Sequence, residues 1–292
     1  MKILVLGSEG QIGSNFCEYA ISKGHEIIRW DKTISSEHNL ARDCFSLHSS
    51  LGPYILASDA ILFLAYNVGG AKYQAYNDKM FDYISENVQI MENTFTILRN
   101  INKPVLFASS QMSNMYDTNY GLLKQLGERY TKACNNIWTC RFWNVYGVED
   151  PTSPKSHVIT DFIYQAETTK KIVMRTNGEE LRQFMHASDA SKALLYWCNN
   201  YESLDRNKYL DITTGYWNSI KSIAQTVITN ILGASYILGP NKDLQTKYNP
   251  HDPYFMKLAF ANDKFIKIED GIKDIICQMK ARTYLSAAAQ DL

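Results

Sequence analysis

Tyr120 and Lys124 stand four residues apart, in Tyr120-Gly121-Leu122-Leu123-Lys124. On a helix that spacing puts both side chains on one face, with Cβ atoms about 5–6 Å apart. A lysine ammonium beside a phenol favours the phenolate and lowers its pKa from the ordinary value of about 10. Such a tyrosine can take or return a hydroxyl proton near neutral pH. Upstream, an apolar run ends in Ala108-Ser109-Ser110, which offers a hydroxyl at the end of a strand. A second constellation is Gly7-Ser8-Glu9-Gly10-Gln11-Ile12-Gly13, a G-x-x-G-x-x-G spacing between an apolar run and an amphipathic segment. Glycines there permit a tight turn and close approach of a pyrophosphate to a helix N-terminus, whose free N–H groups and dipole favour negative charge. Asp31 follows at the distance where a carboxylate accepts hydrogen bonds from a ribose 2′-hydroxyl. It repels a 2′-phosphate, as does Glu9, whereas Arg29 and Lys32 pull the other way. The chemistry these residues point to is binding of a dinucleotide, NAD rather than NADP, beside a tyrosine that can exchange a proton with a hydroxyl.

The elements that must position them alternate. Strands are expected at 2–6, 26–30, 60–65, 105–108 and 137–143, and helices at 11–23, 80–99 and 119–134. Gly24 closes the first helix. This order specifies βαβ units and a doubly wound parallel sheet of Rossmann type, with ligands at its carboxyl edge. The segment 148–156 holds two prolines and reads as a loop leaving the sheet. Beyond it come helices at 158–168, 188–199, 218–231 and 271–280 and strands at 172–175 and 208–212. The expected organisation is a dinucleotide domain over 1–150, a smaller mixed α/β substrate domain over 151–282 with some segments returning to the first, and a tail over 283–292.

Composition narrows the classes. The chain of 292 residues balances 30 Lys+Arg against 30 Asp+Glu. It lacks the overall basic excess that proteins gripping nucleic acid through its phosphates usually carry. No apolar run approaches the length of a membrane span. The six cysteines form no C-x-x-C pair, so they read as reduced small hydrophobes, and no metal site is expected. A cytoplasmic location is the expectation.

Taken together, the motifs resemble the extended short-chain dehydrogenases, the NAD-dependent epimerase/dehydratase family that modifies nucleotide sugars. The resemblance runs from residue 2 to about 280. Leu64-Ala65-Tyr66 looks like the family's Leu-Ala-Ala, and Asn39-Leu40 falls where a residue pair meets the adenine. Asn87 matches a helix asparagine that orders the sheet near the site. Arg141-Phe142-Trp143-Asn144-Val145-Tyr146-Gly147 resembles Arg-x-x-Asn-x-Tyr-Gly, and Arg182-Gln183-Phe184-Met185-His186-Ala187-Ser188-Asp189 resembles a later family stretch. The resemblance implies Tyr120 as the acid–base group, Lys124 as its tuner and a ribose contact, and Ser110 as the partner of the reacting oxygen. It implies Asn144 on the substrate diphosphate, Arg182 on the nucleotide, and Gln111 beside the sugar. His186 fits a structural histidine.

Departures from the family pattern discriminate among reactions. Gln111-Met112 stands where sugar 4,6-dehydratases carry an acid and a base, which argues against dehydration. Val68-Gly69-Gly70 and Ser156-His157-Val158-Ile159 are similar to the GDP-fucose synthase branch, and His157 falls on its catalytic histidine. The cysteine that would accompany it is replaced by Gln111. His157 is therefore a candidate for catalysis or for substrate binding. Two reactions stay open: epimerisation by transient hydride transfer, with C4 preferred, and net reduction of a 4-keto-6-deoxy nucleotide sugar. An NAD-dependent sugar oxidase and a non-catalytic NAD-binding protein are more distant. The resemblance also implies a homodimer, through the segments 80–99 and 119–134.

Overall fold

In the computed structural model, residues 1–68, 79–115, 117–153, 156–243 and 252–288 are described, with side chains to residue 282. Gly69 and Gly70 of the Val68-Gly69-Gly70 segment lie outside them. The apolar runs form β1 (Lys2–Leu6), β2 (Glu26–Trp30), β3 (Ala60–Phe63), β4 (Val105–Ser110) and β5 (Ile137–Phe142). With β9 (Leu210–Ile212) they make a parallel six-stranded sheet in the order β2-β1-β3-β4-β5-β9. The chain steps outward from β1 to β2 and then back past β1 to β3. This reversal opens a crevice at the carboxyl ends of β1 and β3, where an open α/β sheet binds ligands.

Both faces of the sheet are covered, which is why its strands read as continuous apolar runs. On one face Ile3, Val5, Leu62 and Leu106 pack against Phe16 and Trp197, from α1 (Gln11–Ser22) and α6 (Ala187–Asn200). On the other, Leu4, Leu6, Ile61 and Phe107 meet α2 (Cys44–Ala57), α3 (Met80–Leu98) and α4 (Asn119–Lys132), through Leu47, Leu51, Met91, Phe95 and Leu123. A third cluster builds the smaller lobe from α5 (Val158–Thr169), α7 (Ile220–Thr229) and α9 (Ile268–Ala288). Around it lie β7 (Lys171–Val173) paired with β11 (Ser235–Ile237), and a sheet in the order β10-β8-β6, from Trp217–Ser219, Leu181–His186 and Asn144–Tyr146. The short α8 spans Tyr254–Ala259.

The expected parallel sheet is present. β9 and α6 belong to it structurally, although they follow residue 150 in sequence. Helix α2 has no counterpart in the sequence reading. It starts where Asp43 Oδ1 accepts the Ser46 N–H at 3.0 Å, and it carries Pro53 inside. The backbone of α9 runs on to Ala288, past residue 283, where a tail was expected. The Ser286-Ala287-Ala288 stretch has ample helix propensity for this. Among the described residues no helix is long and apolar enough to cross a membrane.

Candidate active site

The loop after β1 is shaped by two glycines. Gly7 sits at φ +90°, and a Cβ there would lie 2.6 Å from the backbone nitrogen of Ala65, at the end of β3. A Cβ on Gly13 would lie 2.1 Å from the Gly7 carbonyl oxygen. Helix α1 therefore starts hard against the loop. Gly10 is its N-cap and provides no side chain to satisfy the first N–H groups. Gln11 Nε2, in the first turn, has no hydrogen-bond partner among the described residues. Ile12 packs beneath, against the sheet. These free donors at a helix N-terminus fit a pyrophosphate. Gly13→Ala is expected to cost about 1–3 kcal/mol of stability and to lower NAD affinity about tenfold or more. Thermal melts and calorimetric titration measure the two effects, and unchanged binding would contradict the packing role.

Asp31 lies just past β2 with its carboxylate fixed. Oδ2 accepts the Glu9 backbone N–H at 3.2 Å, and Oδ1 accepts both the N–H and the hydroxyl of Thr33 at 3.0 Å. The two cations that would welcome a 2′-phosphate are both engaged. Arg29 Nη1 is 3.0 Å from Glu9 Oε1, and Lys32 Nζ is 2.5 Å from Glu86 Oε1. Negative charge therefore surrounds the ribose position, and the residues fit NAD. Asn39 turns its Oδ1 onto the Ala41 N–H at 3.0 Å, shaping the turn, and Leu40 is buried in the core beside Trp30.

The end of β3 is held from α3. Buried Asn87 accepts the Asn67 N–H at 2.9 Å and donates to the carbonyls of Asn67 at 3.2 Å and Tyr83 at 2.9 Å. This clamp fixes the Leu64-Ala65-Tyr66 stretch, where the Leu64 N–H bonds Leu6 O at 2.9 Å. The Tyr66 ring stands edge-on to the Tyr120 ring, with centroids 5.7 Å apart.

Helix α4 is capped by Thr118, whose hydroxyl accepts the Gly121 N–H at 3.0 Å. Tyr120 therefore sits in its first turn, beside the end of β4. Gly121 allows this closeness, since a Cβ there would be 2.1 Å from the Met115 carbonyl. Ser110 Oγ accepts the Met112 N–H at 3.2 Å, and its hydroxyl lies close enough to Tyr120 to pull the phenol's pKa down. Gln111 opens the short 3₁₀ turn that follows. Lys124 is 3 % exposed, donates to Ala108 O at 2.8 Å, and lies 3.8 Å above the centre of the Tyr66 ring.

The expected lowering of Tyr120 by Lys124 is overturned. Burial pushes Tyr120 up to about 12, against a downward pull from the Ser110 hydroxyl. Burial likewise drives Lys124 down to about 7, with Cys140 and Glu128 resisting. The lysine nitrogen stands over Tyr66, 5.8 Å from the Tyr120 ring centre. This sets a pH dependence. The unfolded lysine keeps a pKa of about 10.4, so above pH 7 the unfolded chain holds a proton that the folded chain gives up. Stability of the cofactor-free protein then rises with pH, by up to about 1.4 kcal/mol per unit. The window closes near pH ~8.5, where thiols raised by burial, Cys17 among them, begin to oppose it. Urea unfolding should show this slope in the wild type and lose it in Lys124→Met. A flat wild-type profile would refute it.

Behind these groups lies an ion cluster that the sequence reading missed. Glu128, one turn beyond Lys124, accepts the Ser109 hydroxyl at 2.6 Å and Arg141 Nε and Nη2 at 2.8 Å each. The i, i+4, i+8 face of Tyr120, Lys124 and Glu128 was the signal that could have revealed it.

The remaining candidates are placed around the smaller lobe. Asn144 donates to Gln183 O at 3.2 Å, Arg182 Nη2 pairs with Asp243 at 2.5 Å, and His157 Nδ1 is 2.9 Å from Glu149 Oε2. No hydrogen bond among the described residues joins these three to Ser110, Tyr120 or Lys124. His186 is buried, accepts the Ser188 N–H at 3.2 Å and caps α6, a structural role.

Comparisons with known proteins agree with this geometry. The model of the NAD dependent epimerase/dehydratase family matches residues 3–212. A Methanocaldococcus jannaschii protein provisionally named a UDP-glucose 4-epimerase is 24 % identical over 249 residues, 76 % of this chain and 79 % of the relative. An epimerase structure from Methanothermobacter thermautotrophicus superposes with TM-score 0.80 at 16 % identity, covering 97 % of this chain and 93 % of that one. A GDP-L-fucose synthetase from Naegleria fowleri, bound to NADP, gives 0.79 at 16 % identity over 97 % and 93 %. At these identities the structural likenesses establish the fold. The family match, over well more than half of the chain, shows that the chain belongs to the NAD-dependent epimerase/dehydratase family.

Proposed function

We propose that this protein is a nucleotide-sugar epimerase that inverts a hydroxyl-bearing carbon, C4, by transient hydride transfer with retained NAD. The observation that carries the choice is the neutralisation of Arg29 by Glu9 and of Lys32 by Glu86 around the fixed Asp31 carboxylate. It disfavours the 2′-phosphate of the NADPH that a net reductase would consume. Bound NAD supplies the hydride acceptor and, when oxidised, a positive charge beside the reacting carbon. Ser110 holds the reacting oxygen, Tyr120 removes its proton and later returns it, and Lys124 donates to the cofactor ribose. Gln111, Asn144 and Arg182 are proposed contacts to the sugar, the diphosphate and the nucleotide. The test uses UDP-galactose deuterated at C4, UDP being the nucleotide in the name of the relative above. UDP-glucose keeping its deuterium supports the reading. No interconversion, or deuterium lost to solvent, rejects it.

The second reading is a 4-keto nucleotide-sugar reductase that also epimerises, and the Glu149–His157 pair is what favours it. A homodimer is proposed as well. Leu122 and Leu126 on α4 are 52 % and 37 % exposed, and Phe81 on α3 is 81 % exposed. Light scattering should report two chains, and Leu122→Glu should shift the mass to one. A wild type that is already monomeric would reject this interface.

A further inference from the structure

Glu149 belongs to none of the sequence motifs. It lies two residues past Gly147, in the segment that leaves β6 for α5. Its carboxylate grips one residue twice. Oε1 accepts the backbone N–H of His157 at 2.6 Å, and Oε2 lies 2.9 Å from Nδ1 of the same residue. The glutamate side chain is 14 % exposed and the histidine 42 %. The carboxylate is thus inside and the imidazole is at the boundary, with Nε2 on the ring edge away from Glu149. Among the described residues Nε2 has no hydrogen-bond partner.

An ionised carboxylate only accepts hydrogen bonds, so the ring nitrogen facing it carries the hydrogen. Neutral His157 is then protonated at Nδ1 and bare at Nε2. Burial pulls the His157 pKa down, but the hydrogen bond and charge of Glu149 outweigh this and hold it above the ordinary value, so the bare Nε2 belongs to the neutral ring on the alkaline side of that raised value. The segment begins beside the first helix. A Cβ on Gly147 would be 3.6 Å from Asn15 Nδ2, on the helix that starts at the dinucleotide loop. Thr160 Oγ1 donates back to Gly147 O at 3.5 Å and ties the start of α5 to the same place.

We propose that Glu149 is a positioning residue that sets the tautomer of His157, leaving Nε2 as the hydrogen-bond acceptor for a hydroxyl of the bound sugar. This rests on the nucleotide-sugar reading of the site. A simple helix-capping role for Glu149 has different consequences, because capping needs only an acceptor for the His157 N–H. In Glu149→Gln the amide oxygen can keep that bond while the amide NH₂ faces Nδ1. Donation to Nδ1 forces the ring hydrogen onto Nε2. A carboxylate acting on a histidine in this way has precedent in serine proteases, where the amide variant holds the ring in the wrong tautomer.

The test uses the full chain loaded with NAD and labelled with nitrogen-isotope histidine, the His157 signals being assigned with His157→Asn. The wild type should show Nδ1–H and Glu149→Gln should show Nε2–H, with little change in thermal midpoint. The KM for UDP-galactose should rise about tenfold, the loss of one hydrogen bond, with kcat little changed. Glu149→Asp should restore the wild-type tautomer and most of the affinity. An Nε2–H wild type, an unchanged tautomer in Glu149→Gln, or an inverted tautomer with unchanged KM would each overturn the proposal. A wild type inert toward UDP-galactose would reject the epimerase reading alone, and the spectra would still decide the role of Glu149.

Discussion

Tyr120→Phe should lower turnover by about 10²–10⁴-fold while leaving NAD affinity unchanged. That range is the contribution of a positioned acid–base group. The substitution removes one oxygen and little else. The ring remains edge-on to Tyr66, and Ser110 still accepts the Met112 N–H. Losing the hydroxyl of a half-buried side chain should cost no more than about 1 kcal/mol of stability, too little to unfold the chain. Steady-state assays with UDP-galactose, alongside calorimetric titration of NAD, separate the two effects. Turnover within tenfold of wild type would remove Tyr120 from the chemistry. An equal loss of NAD binding would recast it as a cofactor contact.

Glu128→Ala should be the most destabilising single change near the site, at about 3–5 kcal/mol. Glu128 is 3 % exposed and holds Arg141 through two parallel bonds. The guanidinium carbon lies 3.5 Å over the Tyr209 ring, and the arginine side chain is 12 % exposed. Removing the carboxylate strands a buried cation and frees the Ser109 hydroxyl at the end of β4. Removing both charges should hurt far less, because apolar replacements of a buried pair are often neutral. Glu128→Leu with Arg141→Met should therefore recover most of the loss in denaturant unfolding. If the double variant is as unstable as Glu128→Ala, the stranded charge is not the cause.

The first half of the fold was legible because its signals are local. Ile3–Leu6 is a continuous apolar run closed by glycine, and the period of α1 follows at once. Helix α2 was not, although Leu47, Leu51 and Ile55 line one face, because Pro53 and several serines interrupt the pattern. In β8 the adjacent polar pair Arg182-Gln183 and the terminal His186 give neither an apolar run nor an alternation, which hid a strand inside a recognised motif. The residue types of the site were equally legible, and their electrostatics were not. Spacing alone made Lys124 a neighbour of Tyr120, whereas tertiary packing put its ammonium over Tyr66 and buried it. Glu128 showed only its place on the Tyr120–Lys124 face, and Glu149 showed nothing, because the partners of both are brought to them by the fold.

A tightly held NAD should be recycled rather than consumed. The direct measurement is to heat-denature the purified protein, identify the released dinucleotide by absorbance and mass, and follow free cofactor during turnover of UDP-galactose. Stoichiometric NAD or NADH in the released fraction, with no net consumption, is the expected result. A protein that emerges empty, and that oxidises added NADPH with a 4-keto nucleotide sugar, would contradict it and make the reductase reading the correct one.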